Sequence, residues 1–223
     1  MSVNKNLPID PIGKLLGLRH KAHPWHGINI GPEAPEIVTC YIEMVTTDTV
    51  KYEIDKDTGY LIIDRPQKYS SILPALYGFL PQTFCGKRVG QTSVDILKRE
   101  EIVGDEDPLD ICVLTEKDVS SGNILVKAKP IGGFRMIDGN QADDKIVAVL
   151  KDDAVYGAYT DVSQVPKAVI ERLKHYFLTY KDMPDIALQR CEITHIYGAQ
   201  EAKELISKAM LDYKDYIEKL LFS

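Results

Sequence analysis

IVTCYIEMV at residues 37–45, followed after a short break by TVKYEI at 49–54, decides how this 223-residue chain folds. The first run is β-branched and aromatic. The second alternates Val50, Tyr52 and Ile54 against Thr49, Lys51 and Glu53, the period of two of a half-buried strand. A turn at Asp57-Thr58-Gly59 leads into Tyr60-Leu61-Ile62-Ile63, so an antiparallel meander is expected. Farther along, residues 111–114, 124–129, 134–137 and 145–150 read as further strands. They are punctuated by Gly122, by Pro130-Ile131-Gly132-Gly133 and by the acidic loop DGNQADD. Short strands at this spacing point to a small β-barrel.

The last third changes period. Pro166 suits a helix start, and Val169, Leu173, Tyr176 and Tyr180 recur at helical spacing, with Ile170 and Phe177 widening the stripe. A second amphipathic helix is expected over 202–220, and residues 191–197 between the two read as one more strand. Residues 80–103, with Gly86, Gly90, Lys87-Arg88 and Lys98-Arg99-Glu100-Glu101, read as a solvated loop. The expected class is therefore α+β, a β-barrel flanked by C-terminal helices. With no linker or shift of composition, residues 1–223 are expected to form a single domain.

The chain carries 27 Lys and Arg against 33 Asp and Glu, a net charge of −6, which argues against a nucleic-acid backbone as partner. Cysteines at 40, 85, 112 and 191 are too far apart for a CxxC zinc or redox site and read as reduced thiols, in keeping with a cytoplasmic location. Met1 to Lys5 leads into no apolar segment, and no stretch approaches the length of a membrane span.

GDEDPLD at 104–110 sets three aspartates at D-x-D-x-x-D spacing around a proline. Two like charges about 4 Å apart repel by roughly 4 kcal/mol at an effective dielectric near 20, so converging carboxylates require protonation or a cation. Oxygen donors suit Mg²⁺, Mn²⁺ or Ca²⁺ rather than zinc. An EF-hand does not fit. With Asp105 as first loop position, Glu116 falls at the twelfth, but the sixth, which needs glycine, holds Asp110.

Other residues are suggestive without being decisive alone. Glu43 is the one charge in the apolar run 37–45, so it is either an edge residue reaching water or a buried carboxylate that needs a partner. Lys51 and Glu53 share a strand face and, taken alone, read as a solvated ion pair ahead of a functional one. Arg65 ends the next strand as an ordinary surface residue would. The acidic loop from Asp138 through Asp143 to Lys145 could be a plain hairpin connection. Tyr180-Lys181 closes a helix, where a lysine complements the dipole. His20, His23, Trp25 and His26 read as a packed segment anchored by Trp25 rather than a soft-metal site.

In order along the chain, from about residue 40 to 181, these pieces resemble the soluble inorganic pyrophosphatases, a family built on a five-stranded OB-like barrel. GDEDPLD resembles the family signature. VKYEID resembles its lysine and glutamate segment, Ile63-Asp64-Arg65 its arginine segment, and Leu76-Tyr77-Gly78 its tyrosine segment. Residues 138–145 resemble its second acidic loop, and residues 175–181 its helix ending in Tyr-Lys. The resemblance implies hydrolysis of pyrophosphate to two phosphates by a metal-activated water, with several Mg²⁺ ions in the site. Asp105, Asp110 and Asp143 would hold one ion, Asp110 would bridge to a second, and Asp138 with Asp143 would take ions arriving with substrate. Asp107 would accept the proton of the attacking water. Lys51, Arg65, Tyr77, Lys145, Tyr180 and Lys181 would neutralise the phosphates, while Glu43 and Glu53 would orient waters around the metal. A homo-oligomer is implied, a hexamer rather than a dimer.

Departures from the family pattern are Glu106 in the signature, Leu73 where a second tyrosine is common, and added length at the N-terminus and over 80–103. The rival from another class is a non-catalytic barrel that binds nucleic acid or calcium. A second enzyme reading, an aspartyl nucleophile in D-x-D, would leave a trappable phospho-aspartate.

Overall fold

Five strands close into a ring. In the computed structural model, which describes residues 20–67, 70–181 and 191–222, the ring runs β1 (Val38–Met44), β4 (Leu76–Phe79), β6 (Asp110–Leu114), β9 (Lys145–Leu150) and β7 (Ile124–Asp138). It shuts because β7 also pairs with β1. All pairings in it are antiparallel except β6 with β9, which run parallel in the register Asp110↔Lys145 to Leu114↔Val149. The expectations about Met1 to Lys5 lie outside the described residues.

The apolar strand runs are explained by burial on both faces. In ICVL, Ile111 and Val113 join the cluster that fills the ring, to which Val38, Leu76, Ala128, Ile146 and Ala148 contribute from its other strands. Cys112 and Leu114 turn the opposite way, with Val147 and Val149, onto a second cluster. Helix α3 (Ala199–Phe222) packs Ala202, Leu205, Ile206 and Ala209 on the first cluster. Helix α2 (Lys167–Thr179) packs Ile170, Leu173, Tyr176 and Phe177 on the second. Both helices and strand β10 (Cys191–Gly198) fall where the sequence period places them.

Three expectations change. The meander is instead a hairpin of β2 (Val50–Ile54) and β3 (Leu61–Pro66) forming a separate two-stranded sheet, while β1 pairs with β4 and β7. Second, Pro130-Ile131-Gly132-Gly133 does not divide a strand. β7 runs fifteen residues through it, because Pro130 sits at a register shift of the β7–β9 ladder. Its glycines serve close approach: a Cβ on Gly132 would lie 2.5 Å from the Tyr197 carbonyl, and one on Gly133 2.5 Å from the Tyr197 ring. Third, the segment expected as a solvated loop contains helix α1 (Lys87–Leu97). Its buried face is Val89, Gly90, Thr92, Ser93 and Val94, too polar to show an apolar stripe. Its N-terminal cap comes from Asp212 of α3, which accepts from the amides of Arg88 (2.9 Å) and Val89 (3.1 Å). Two short strands, β5 (Val103–Gly104) and β8 (Gln141–Ala142), pair in parallel beside it.

The histidine-rich segment packs through Trp25, 2% exposed, whose indole N–H donates to the Thr83 carbonyl at 2.8 Å. Trp25 stacks on His26 with centroids 4.4 Å apart, and His26 Nδ1 lies 2.9 Å from the Tyr213 hydroxyl of α3.

Candidate active site

One end of the ring opens into a cleft of about 330 Å³. The topology explains what lines it. Parallel pairing of β6 with β9 puts Asp110 beside Lys145, and antiparallel pairing of β2 with β3 puts Lys51 beside Arg65. Glu43 comes from β1, Tyr77 from β4, Asp138 from the end of β7, Asp143 from just before β9, and Tyr180-Lys181 from the end of α2. The loop of GDEDPLD adds Asp105 and Asp107. It is pinned from behind by segment 80–85. Leu80 N–H donates to the Leu109 carbonyl (2.9 Å), Cys85 N–H to the Asp107 carbonyl (2.8 Å), and Leu109 N–H to Thr83 Oγ1 (2.9 Å). All thirteen residues singled out in the sequence line this one cleft.

Its charges neutralise one another through side chains. Lys145 Nζ bridges Asp110 and Asp143, Lys181 pairs with Asp138, and Lys56 with Asp107. Tyr77 donates its hydroxyl to Asp110 at 2.6 Å. Lys51 Nζ lies 2.5 Å from Glu53 and 3.0 Å from Asp64, which also holds Arg65 at 2.5 Å. The Arg65 guanidinium and the Lys181 ammonium lie 5.6 and 5.5 Å from the Tyr180 ring centroid. Among the described residues, no group of three His, Cys, Asp or Glu side chains is drawn together closely enough to hold an ion unaided.

Burial sets the protonation behaviour. Glu43, 5% exposed, accepts from Ile54 N–H at 2.8 Å. Its carboxyl is nonetheless pushed up to about 8 by burial, with Asp110 and Glu53 adding to the rise. Asp105 is likewise raised to about 8 by burial and then by Asp143. Burial also raises Asp107 and Asp143. Lys145 is buried too, which works against its charge, but Asp110 and Asp143 outweigh that and keep it firmly protonated.

Two polar lining residues escaped the sequence reading, Lys56 and Gln141. Lys56 sits in the turn after β2, where a lysine reads as solvated. Gln141 carried no signal at all. Two of the three departures also take on a definite meaning. Glu106 is exposed, has a left-handed backbone (φ 64°) and borders a neighbouring cleft beside α1 rather than this one. Leu73 is 1% exposed in the cluster beneath α2, so it fills core volume and does not simply lack a hydroxyl.

Comparison with known proteins identifies the family. A family model described as inorganic pyrophosphatase matches residues 40–214. A protein of Chlamydia trachomatis named inorganic pyrophosphatase is 51% identical over 196 residues, 86% of this chain and 94% of that one. Soluble inorganic pyrophosphatase 2 of Chlamydomonas reinhardtii is 35% identical over 195 residues, 87% and 90% of the two chains. The crystal structure of inorganic pyrophosphatase from Thermus thermophilus superposes with a TM-score of 0.73 at 27% identity, covering 86% of this chain and 99% of that one. With the ring of five strands and the match over 40–214 in agreement, this chain belongs to the inorganic pyrophosphatase family.

Proposed function

We propose that this chain hydrolyses inorganic pyrophosphate to two orthophosphates by direct attack of water, in a cleft that takes several Mg²⁺ ions. The observation that carries the reading is the convergence of thirteen polar residues from separate elements on one cleft. Divalent metal belongs to the chemistry of this family, and the donor set suits it. Seven carboxylates line the cleft against five cationic side chains, all donors are oxygens, and a lysine ammonium already neutralises Asp110 with Asp143. Asp105, Asp110, Asp138 and Asp143 would hold the ions. When bound, divalent ions supply Lewis-acid polarisation of phosphate oxygens and a lowered pKa for the attacking water.

The chain's own groups do the rest. Asp107, once Lys56 swings aside, takes the proton of water as its oxygen bonds to one phosphorus and the bridging P–O bond breaks. Lys51, Arg65, Tyr77, Lys145, Tyr180 and Lys181 neutralise the phosphoryl oxygens and the leaving phosphate as its charge grows. Glu43 and Glu53 orient waters at the edge of the site. Residues 1–223 would act as one domain in a cytoplasmic homo-oligomer, a hexamer rather than a dimer.

Phosphate release from pyrophosphate should require Mg²⁺ and stop with excess chelator, and no phospho-aspartate should be trapped by acid quench. Release unaffected by chelator would defeat the reading, and a trapped phospho-aspartate would replace water attack with an aspartyl nucleophile.

A further inference from the structure

Behind the cleft, Asp143 and Asp144 lead into β9 at Lys145, and the three side chains part company. Asp143 and Lys145 turn to the cleft and to each other. Asp144, between them, turns the opposite way and is buried, its side chain 0% exposed. There it meets Arg135 of β7, also 0% exposed, with Nη1 3.1 Å from Asp144 Oδ2. Tyr197 of β10 donates its hydroxyl to the same oxygen at 3.1 Å, and its ring lies under the guanidinium, 5.1 Å from centroid to Cζ. Gly133 lets the ring lie flat on β7, since a Cβ there would sit 2.5 Å from it. Glu201 of α3 takes the other end of Arg135 at 2.6 Å.

This network is poor value as a stabiliser. Arg135 and Asp144 are both fully desolvated, and among the described residues Arg135 Nε and Asp144 Oδ1 have no hydrogen-bond partner. Well-packed apolar residues in place of such a buried pair are often neutral or stabilising. What the pair does accomplish is positional. It grips the one residue between Asp143 and Lys145, while Asp143 N–H is held on the Met136 carbonyl at 3.0 Å and Lys145 is in register with Phe134.

We propose that Asp144, held by Arg135 and Tyr197, is a positioning residue that sets Asp143 and Lys145 at the angle the cleft needs for divalent cation and phosphate. The inference rests on the proposed function, in which Asp143 holds a cation and Lys145 a phosphoryl oxygen. Groups that orient metal ligands from behind typically carry 10- to 100-fold in metal affinity.

The test is Mn²⁺ binding to substrate-free protein by titration calorimetry, with melting temperature, KM and kcat measured beside it, for the parent, for Asp144→Asn and for the pair replacement Arg135→Met with Asp144→Leu. The pair replacement should melt within a few degrees of the parent yet bind Mn²⁺ at least about tenfold more weakly, with a raised KM and much of kcat recovered at saturating metal. Asp144→Asn keeps the side-chain shape and should shift Mn²⁺ binding the same way. Parental Mn²⁺ affinity in either folded variant overturns the inference and leaves the pair as packing. If the pair replacement does not fold, Asp144→Asn decides by the same measurement. A parent that neither binds Mn²⁺ nor releases phosphate would instead overturn the proposed function.

Discussion

Two sets of aspartates in this molecule look alike in sequence and behave oppositely. Around the cleft, Asp110, Asp138 and Asp143 are partnered by lysine and tyrosine side chains, and Asp105, Asp107 and Asp143 have their carboxyls raised, chiefly by burial. Away from it, Asp153 accepts from the amides of Glu116, Val155 and Tyr156 at 2.8–3.0 Å and from Thr115 Oγ1 at 2.6 Å. Although burial works against its charge, those donors hold its carboxyl below the ordinary range. Asp161 is lowered too, first by the Ala199 amide. Backbone donors cannot leave without unfolding the chain, whereas a lysine ammonium can swing away when a cation or phosphate arrives. The partner's freedom separates Asp110, Asp138 and Asp143 from Asp153 and Asp161.

The largest expected effect tests the first set. Asp107→Asn keeps shape and removes the basic oxygen, so kcat at saturating Mg²⁺ should fall by about 10²- to 10⁴-fold. Asp110→Asn should chiefly raise the Mg²⁺ needed for half-maximal rate. Metal titrations of turnover distinguish the two, and recovery of parental kcat in Asp107→Asn simply by adding Mg²⁺ would move Asp107 among the metal ligands.

Next comes Asp212, which belongs with the structural set. It is 4% exposed and caps α1 through the Arg88 and Val89 amides while pairing with the Arg88 guanidinium at 2.9 Å. Asp212→Ala should cost about 2 kcal/mol, a fall in Tm of roughly 4–8 °C, with kcat at saturating metal unchanged at assay temperature. A parental Tm would show that water caps α1 as well as the carboxylate does.

The smallest effect concerns acid. The folded Asp153 carboxyl ionises at lower pH than the unfolded one, so its stabilisation is complete above about pH 4 and fades as pH falls through the folded value. In urea titrations across that window, Asp153→Asn should show a flatter loss of stability with acid than the parent. An unchanged slope would mean that the backbone donors do not favour the charged form.

The motifs themselves were legible. GDEDPLD, VKYEID, the acidic loop before Lys145 and the Tyr-Lys helix end name their chemistry by residue type, and the two C-terminal helices announce their period. Helix α1 was not legible, because its buried face uses Gly90, Thr92 and Ser93, its C-terminal turn places Lys98 rather than glycine at φ 57°, and its cap lies on another helix. The unbroken β7 was hidden for a related reason. Pro130 and the two glycines obey a neighbouring strand's needs, and those cannot be seen locally.

By itself, the sequence determined which side chains are available to the cleft, the strand and helix periods that carry them, and the family to which they point. Only the tertiary structure decided which face each residue shows. The ring brings β6 beside β9, so Asp110 meets Lys145 across 35 residues of chain. It turns Asp144 inward to Arg135 and leaves Glu106 outside the cleft. Direction along a strand alternates whatever the composition, so which carboxylate is buried, paired or free follows from the closure of the ring rather than from the order of the letters.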